Sequence, residues 1–481
     1  MKRVGVPAGH RLQRRTLLRG AAGVAAVGGL ALAGCGPQKS QPTTQAPVVT
    51  ITFQPYFVAL GGNAQTAQKL AAQALAEYSS QGGSKGVRIK LDIWQSTQAN
   101  ISAMAAGTGA DVIYDYHYAP YIEPGLIAPL EGYVKDFGVD ESVWSAGQLA
   151  VYKENGHLYA LPAYMGTVCY AYNQSAFDAL GVAYPSSDWT SGDFVSLCKQ
   201  LSGTNSDGSA RYGGMLYQWN NQINGSRWIF NAFGGSLMNA DGTAGTLSSS
   251  GSVAAGKYMF EQLYWPKICT VRAGNYQQLF QQGNVVMRTL GTWEIFPAVL
   301  AYQNNIKWDI LPFPTYPAGR TTFSTDDFWA VNAQSKNLKE AAEVAVWASS
   351  SPYWNKFNMQ LQLLSPARVD LWDQWASTVQ QVAAPLKGKA LNWYGDAAQK
   401  GYALAPLYYK YDDTQCEAAV GTVISQLWSQ QLSDVATAFA QADQLVDAII
   451  AQAEASSTSS AGSSSASASS GSKSGSASSS A

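Results

Sequence analysis

The chain has 481 residues, a net charge of −1, 46% hydrophobic residues and only 13% charged residues. This length exceeds what one compact core accommodates and favours two globular lobes, and the near-zero charge excludes the basic surface that nucleic-acid binding requires. The chain is rich in tryptophan (15) and tyrosine (26), which suits contact with neutral, hydroxylated small molecules, although a single ring is more often a core residue.

The N-terminus has the pattern of an export signal. Arg14 and Arg15 form a twin-arginine pair, and the following apolar stretch (20–34) is shorter than the roughly 20 residues of a membrane-spanning helix. We interpret it as the hydrophobic region of a signal peptide. It ends in Leu-Ala-Gly-Cys (32–35), which matches a bacterial lipobox. We therefore expect export, lipidation of Cys35 and anchoring to the outer face of the cytoplasmic membrane.

Two low-complexity segments flank the predicted fold, which spans 48–454. Residues 36–47 are rich in proline, glutamine and threonine and predict a tether. Residues 455–481 are almost entirely serine, alanine and glycine, which cannot bury enough area to offset the entropy of ordering, so we expect a disordered tail.

The cysteines other than Cys35 are consistent with an exported protein. Four allow three disulfide pairings, among which the sequence does not choose, or they are small buried thiols. No C-x-x-C pair occurs, which argues against a zinc ribbon or a thioredoxin-type motif. They are Cys169, Cys198, Cys269 and Cys416.

The folded part begins with strands and helices in alternation. Apolar residues alternate over 49–53 and 87–93 and predict strands, whereas 64–79 has a 3.6-residue period and predicts a helix. A short helix near 97–106 and a strand over 111–115 follow. This order implies a parallel sheet with right-handed crossovers.

Capping signals organise the middle of the chain. Thr190 and Asp193 predict a capping box for a helix that runs through Leu201, and Gly283 is the predicted C′ glycine of a helix around Leu279. The remaining expected elements are strands at 285–287, 308–313 and 328–331, a helix at 337–349, and mostly helix from there to 454.

Four groups of short strings carry a family resemblance over about 48–454. They are ADVIYD (110–115) with GLIAPL (125–130); GHLYALP (156–162) with YN (172–173) and FDALG (177–181); FQQGNVVM (280–287) with GTW (291–293); and DILP (309–312) with WAVN (329–332). In this order they resemble the family 1 extracellular solute-binding proteins, the maltose-binding-protein-like components of ABC importers.

The resemblance implies an α/β, two-lobe periplasmic-binding-protein-like fold (type II) with a ligand cleft between the lobes and a hinge of two to three crossing segments. We expect crossings near Ala163, Leu311–Phe313 and Ser350. Lobe one would then comprise 48–163 and 313–350, and lobe two 164–311 and 351–454.

A sugar offers C–H faces for stacking and hydroxyls for hydrogen bonds, so a sugar cleft combines rings with polar groups. Trp293, at the family's G-x-W position, is the first candidate, and its neighbour Glu294 could accept hydroxyl protons. Asp115 and Tyr116 end the third strand; a helix cap or turn is an equal alternative for Asp115. His117 is a weaker candidate.

Further candidates lie in loops beside strands. Asp326 and Asp327 precede a strand where the family tends to have small residues, and Trp329 lies within it. Trp219 and Trp228 flank Asn220, Asn221 and Asn224. The remaining candidates are Tyr164, Gln54 and Phe57. For each tryptophan, core packing is the alternative.

The resemblance implies that the protein captures a carbohydrate, with oligosaccharides as the first class expected, and passes it to the transmembrane subunits of an ABC permease. No catalysis, cofactor, metal or nucleic-acid partner is expected, and the protein is expected to be a monomer. A polyol, peptide or amino-acid-like solute is one alternative. A secreted glycoside hydrolase needs only two carboxylates and is another, and an adhesive surface lipoprotein is a third.

Overall fold

A computed structural model describes residues 48–55, 76, 78, 86–92, 94, 96–122, 124–216, 227–271, 274–302, 305–325, 327–400, 403–404, 408–411 and 413–467. The expected signal peptide, Cys35 and the tether lie outside these residues, as does most of the helix predicted at 64–79.

Two β-sheets organise the fold. The strands of sheet one are β1 (Val49–Phe53), β2 (Val87–Leu91), β3 (Val112–Asp115), β6 (Ala160–Pro162) and β14 (Phe328–Val331), in the order β2-β1-β3-β14-β6. Those of sheet two are β7 (Val168–Asn173), β8 (Gly203–Thr204), β9 (Ala210–Leu216), β10 (Cys269–Val271), β11 (Val285–Gly291) and β12 (Trp308–Leu311). Their order is β10-β9-β11-β7-β12, with β8 paired to β9. Two small pairs are β4 (Lys153–Glu154) with β5 (His157–Leu158), and β13 (Thr322–Phe323) with β15 (Ala403–Leu404).

Helices cover both sheets. Before β10 they are Thr97–Ala105, Ala119–Ile122, Glu131–Asp136, Ala146–Val151, Gln174–Leu180, Ser191–Leu201, Arg227–Ala232 and Ser250–Lys257, the last of which continues as the π-helix Tyr258–Tyr264. After β10 they are Tyr276–Gln281, Ile295–Tyr302, Leu338–Ser350, Pro352–Gln362, Trp372–Val382, Asn392–Gln399, Asp413–Trp428 and Val435–Ser467. None of the helices in the described part of the chain is both long and apolar enough to cross a membrane.

Each sheet has its own hydrophobic core. The lobe-one core contains Phe53, Ile113 and Val331 and packs around sheet one. Sheet two is covered on both faces, because Tyr170 of β7 belongs to one buried cluster, here called the lobe-two core, and Cys169 to another. This alternation follows from the two-residue period of a strand, and it makes β7 a central, fully buried strand.

The local signals predicted most elements correctly. The capping box of Thr190 and Asp193 is present in full and opens the helix Ser191–Leu201. Gly283 has a φ of +78° just beyond the helix Tyr276–Gln281, as a C′ glycine requires. The strand predicted at 328–331 has these limits in the structure.

The chain changes sheet at segments that differ in part from those expected. The first change lies between β6 and β7, where a crossing near Ala163 was expected. Phe313 and Phe323 both still pack in the lobe-two core, so the second change comes between Phe323 and β14, later than the expected Leu311–Phe313. Trp354 packs in the lobe-one core, so the chain leaves this lobe after Ser350.

The C-terminal helix is longer than predicted. Disorder was expected from residue 455, but the helix Val435–Ser467 continues past Glu454. Alanine has the highest intrinsic helix propensity and serine is tolerated, so the compositional argument that excludes a packed core does not exclude a helix.

The four cysteines are buried free thiols. Cys198 and Cys269 face each other with their sulfur atoms 3.6 Å apart. Burial raises the pKa of both Cys169 and Cys198 well above the ordinary thiol value, which keeps these groups protonated.

Candidate functional site

The candidate site lies where the facing edges of the two sheets are joined. β1, β3 and β6 end at the same edge of sheet one, where the antiparallel β14 begins. β9, β11 and β12 end at the edge of sheet two where β7 begins. The crossing segments connect these two edges, and Gly166 and Thr325 run beside each other there, with the Thr325 N–H donating to the Gly166 carbonyl at 2.9 Å.

Trp293 lies at this junction. It follows β11 in a short turn (Thr292–Glu294), is partly buried, and packs against both the lobe-one and the lobe-two cores. Its ring lies so close to Gly166 that a Cβ there would approach it to 2.9 Å. A Cβ at Gly291 would approach the ring to 2.5 Å. The two glycines therefore let the indole pack closely against the backbone of a crossing segment and of the end of β11, and Trp293 remains partly exposed.

Asp327 is a buried carboxyl group on the opposite edge. It immediately precedes β14, is 2% exposed, and accepts a hydrogen bond from the Tyr114 hydroxyl at Oδ1. No described residue donates a hydrogen bond to its Oδ2. Burial raises the pKa of Asp327 to about 6, while the hydroxyls of Thr325, Tyr114 and Tyr164 oppose this rise. Nothing in the sequence marked Tyr114 beyond its place in β3 beside Asp115.

Three other candidates lie at the ends of neighbouring strands of sheet one. Gln54 follows β1; its Nε2 donates to Asp92 at 3.4 Å, and its Oε1 has no hydrogen-bond partner among the described residues. Tyr164 follows β6 and is 6% exposed. Tyr116 follows β3, is half-buried, and lies 5.5 Å from the ring of Trp94. The structure therefore brings Gln54, Tyr116 and Tyr164 to the edge that Asp327 occupies.

Asp115 has a structural role instead of the expected role in solute binding. Its carboxylate is 0% exposed and accepts hydrogen bonds from five groups at 2.5–3.4 Å. The donors are the side chains of Trp94, Thr97, Asn100 and Tyr121 and the backbone N–H of Tyr116. Five donors leave no lone pair directed at a cleft, so the expectation that Asp115 binds vicinal hydroxyls is wrong.

Glu294 is likewise corrected by its surroundings. Its Oε2 accepts hydrogen bonds from the Arg288 guanidinium at 2.8 Å and from the Gly291 N–H at 3.0 Å, and both charged side chains are almost completely buried. The Arg288 guanidinium also donates to the Tyr302 hydroxyl at 3.0 Å. The Glu294 carboxylate thus neutralises a buried guanidinium and caps the turn that carries Trp293.

Two of the candidate tryptophans are core residues. Trp228 is 1% exposed and packs edge-on against Phe313 at 4.6 Å in the lobe-two core. Trp329 is 3% exposed, and its ring contacts Phe53 at 4.9 Å and Tyr114 at 5.8 Å. Neither ring has a face available for stacking on a solute, because neighbouring aromatic rings occupy that space.

Several candidates lie outside the described residues, and the geometry bears on none of them. They are Trp219, Asn220, Asn221, Asn224, Asp326 and Phe57.

The arrangement at the junction suits a neutral, hydroxylated solute. A partly accessible indole supplies a stacking surface, and Asp327 Oδ2 and Gln54 Oε1 are buried acceptors without a hydrogen-bond partner among the described residues. Stacking and hydrogen bonding are the contacts that these side chains offer a solute.

Comparisons with known proteins agree with this geometry. A family model described as bacterial extracellular solute-binding protein matches residues 71–370. No curated protein matches the sequence. Among solved structures, an ABC substrate-binding protein from Listeria monocytogenes in complex with cycloalternan is similar, with 19% identity, a TM-score of 0.65, and coverage of 83% of this chain and 98% of that one.

Two further solved structures have a similar fold and different ligands. The cyclic α-maltosyl-1,6-maltose binding protein from Arthrobacter globiformis has 16% identity, a TM-score of 0.67, and coverage of 84% of this chain and 99% of that one. UgpB from Mycobacterium tuberculosis in complex with glycerophosphocholine has 16% identity, a TM-score of 0.65, and coverage of 85% and 99%.

Proposed function

The chain belongs to the bacterial extracellular solute-binding protein family, and from this premise we propose that it captures a carbohydrate, an oligosaccharide in the first instance, for an ABC importer. The solute enters between the two lobes, the lobes close over it, and the loaded protein delivers it to the permease subunits. The protein does no chemistry on the solute. Export to the cell surface or periplasm, anchoring through lipid on Cys35, and a monomeric state complete the proposal.

The position of Trp293 is the single observation that carries this proposal. Its indole contacts the cores of both lobes and the backbone of a crossing segment. A solute stacked on this ring would therefore touch the part of the molecule where the relative orientation of the lobes is set. Asp327, with Oδ2 unbonded within the described residues, supplies a hydroxyl acceptor on the lobe-one side, and Gln54, Tyr116 and Tyr164 line the same edge.

The solute class is proposed from the ligands of similar folds. Cycloalternan and cyclic α-maltosyl-1,6-maltose, named for two of the similar structures, are both oligosaccharides. Oligosaccharides present several sugar faces and many hydroxyls, which matches an aromatic ring combined with polar side chains. The low charge of the chain agrees with a neutral solute.

Thermal denaturation with a panel of solutes tests the proposal. The full chain is purified in a detergent that has no sugar headgroup and is heated with linear and cyclic oligosaccharides. At 100 times its dissociation constant, a solute that binds only the folded state stabilises it by about 2.7 kcal/mol, which raises the melting temperature visibly. The sugar is then recovered by chromatography; an intact sugar supports capture, whereas cleavage products would make the protein a hydrolase.

A glycerophosphodiester is the second candidate solute. The similar structure in complex with glycerophosphocholine motivates it. Stabilisation by glycerophosphocholine and by none of the oligosaccharides would replace the carbohydrate proposal with this one. A panel without any stabilising member would contradict both.

A further inference from the structure

A cluster of metal-ligating side chains lies across the two lobes, away from Trp293 in sequence. His117 follows β3 of sheet one, whereas Asp413 and Glu417 lie on the helix Asp413–Trp428, whose buried side packs in the lobe-two core. One ligand atom from each of the three lies within 4.8 Å of the others. In the part of the chain that the structure describes, this is the one group of its kind. No local sequence pattern predicts this cluster, because His117 is far from the helix in the chain.

The state of the Asp413 carboxylate independently points to a ligand. The residue is 8% exposed, and its Oδ1 accepts a hydrogen bond from the Tyr409 N–H at 2.7 Å. Its Oδ2 is buried without a hydrogen-bond partner among the described residues and faces the His117 Nε2 at 3.6 Å. A buried carboxylate oxygen with no donor is costly and calls for a specific cause, such as a bound cation.

The donor set and its geometry fit Zn²⁺. Asp413 and Glu417 are four residues apart on one helix and therefore lie on the same face. Zn²⁺ takes imidazole nitrogen and carboxylate oxygen at about 2.0–2.2 Å, so two of its tetrahedral ligands are about 3.3–3.6 Å apart. The 3.6 Å between His117 Nε2 and Asp413 Oδ2 lies at the end of that range, and small side-chain adjustments would complete the set. Ca²⁺ and Mg²⁺ prefer oxygen ligands in larger number, which an imidazole does not supply.

We propose that His117, Asp413 and Glu417 bind one Zn²⁺ ion that joins the two lobes. The surroundings orient two of the ligands: the Tyr408 ring stacks on His117 with 5.8 Å between centroids, and the Tyr409 N–H holds Asp413. Tyr408 packs against the lobe-one core and Tyr409 belongs to the lobe-two core. An ion bound here ties one lobe to the other, so it shifts the equilibrium between open and closed lobes and regulates solute capture.

Titration with zinc chloride in the absence of any solute tests the site. The full chain is stripped of metal by a chelator, dialysed, and titrated in a calorimeter at pH 7.5, with a parallel thermal denaturation. We expect one ion per chain and a rise in melting temperature with Zn²⁺ but none with Mg²⁺. His117→Ala and Asp413→Asn should each abolish this binding event and the rise in melting temperature.

The chain supplies a matched control. His157 forms the comparable pair at the surface, with its Nδ1 2.6 Å from Glu131 Oε1, and His157→Ala should leave zinc binding unchanged. Far-UV circular dichroism of the metal-free variants checks that they fold; should Asp413→Asn not fold, His117→Ala and Glu417→Gln decide. Lack of zinc binding by the wild type, or equal binding by these variants, would overturn the proposal. Either result would leave the proposed solute capture standing, because the titration contains no solute.

Discussion

Asp115 and Asp327 lie at the same edge of sheet one and differ in how many donors they meet. Asp115 pairs in register with Phe328, the residue that follows Asp327, so the two residues lie close together at this edge. The Asp115 carboxylate accepts hydrogen bonds from five groups, whereas Asp327 accepts one from Tyr114 at Oδ1 and its Oδ2 has no partner among the described residues. The acceptor positions of the Asp115 carboxylate are all occupied within the fold, whereas Asp327 Oδ2 remains an acceptor without a donor among the described residues.

Burial alone therefore does not assign a role to an acidic side chain. The donors to Asp115 come from positions 94–121, so a local stretch of chain builds this cluster and fixes the end of β3. The Tyr114 hydroxyl, which donates to the carboxyl group of Asp327, is 213 residues away in the chain. The buried pair of Arg288 and Glu294 resembles Asp115 in having a structural role, because the two charges neutralise each other inside the fold.

The largest effect should come from removing the charge of Glu294, the buried acid that is paired with Arg288. Glu294→Gln leaves the Arg288 guanidinium buried without its counter-charge, which should lower the free energy of unfolding by about 3–5 kcal/mol. Urea denaturation at pH 7 measures it. Glu131→Gln, at the exposed pair with His157, is the control and should change stability by about 1 kcal/mol or less. Equal losses in the two variants would show that the buried pair is not special.

Asp327 should make the free energy of unfolding depend on pH. Folded Asp327 holds its proton up to a pKa of about 6, whereas the unfolded chain releases it near 3.9. The folded state therefore binds more protons between these values, and the stabilising contribution is present below about pH 4 and lost as pH rises to about 6. The loss amounts to up to about 3 kcal/mol, at 1.36 kcal/mol per pKa unit.

Comparison with Asp327→Asn isolates this contribution from those of all other carboxyl groups. The stability of the wild type, measured by urea denaturation from pH 4 to pH 7, should fall relative to that of the variant. Asp140→Asn is the control: hydrogen bonds from Ser142 lower the pKa of the exposed Asp140, so its contribution to stability changes mainly below about pH 4 and this variant should parallel the wild type over the measured range. Parallel curves for the wild type and Asp327→Asn would contradict the raised pKa.

Asp115→Asn should have a smaller effect on stability and none on the site. The amide keeps one oxygen acceptor but turns its NH₂ group towards buried donors, so we expect a loss of about 2–3 kcal/mol in the free energy of unfolding. Because Asp115 has no accessible lone pair, the affinity of the folded variant for its solute should match that of the wild type. Calorimetric titration well below the melting temperature measures this affinity. A large drop in affinity with the fold intact would return Asp115 to the binding site.

Signals confined to a few neighbouring residues predicted their part of the fold well. The capping box of Thr190 and Asp193, the C′ Gly283 and the apolar run of β14 all depend on local backbone geometry, and all three were confirmed. Alternation in β2 likewise predicted a strand, although the strand ends at Leu91, before the predicted limit.

The roles of polar and aromatic side chains depended on contacts that a linear pattern does not contain. Glu294 stands beside Trp293 in the sequence, but its partner Arg288 becomes visible only when β11 is folded. Trp329 looked equally suited to a cleft or a core until Phe53 and Tyr114 were placed against it. The sequence was enough to predict which residues lie at the edge of a sheet, because they follow strands. It was not enough to predict how many hydrogen-bond donors surround an acid or whether other side chains cover an aromatic ring.

Trp293 tests the binding side of the comparison directly. Trp293→Ala removes a stacking surface worth roughly 0.5–1.5 kcal/mol beyond area burial, so the affinity for the solute found in the panel should fall about tenfold, where 1.4 kcal/mol corresponds to a factor of ten. Trp293→Phe should retain part of this affinity because a ring remains.

The indole also packs against both cores, so calorimetric titration well below the melting temperature is needed to separate affinity from stability. Tyr184→Ala, at an exposed ring of lobe two, is the control and should bind as the wild type does. Unchanged binding by Trp293→Ala would remove the ring from the site and leave Asp327 and its neighbours as the only described groups to which capture could be assigned.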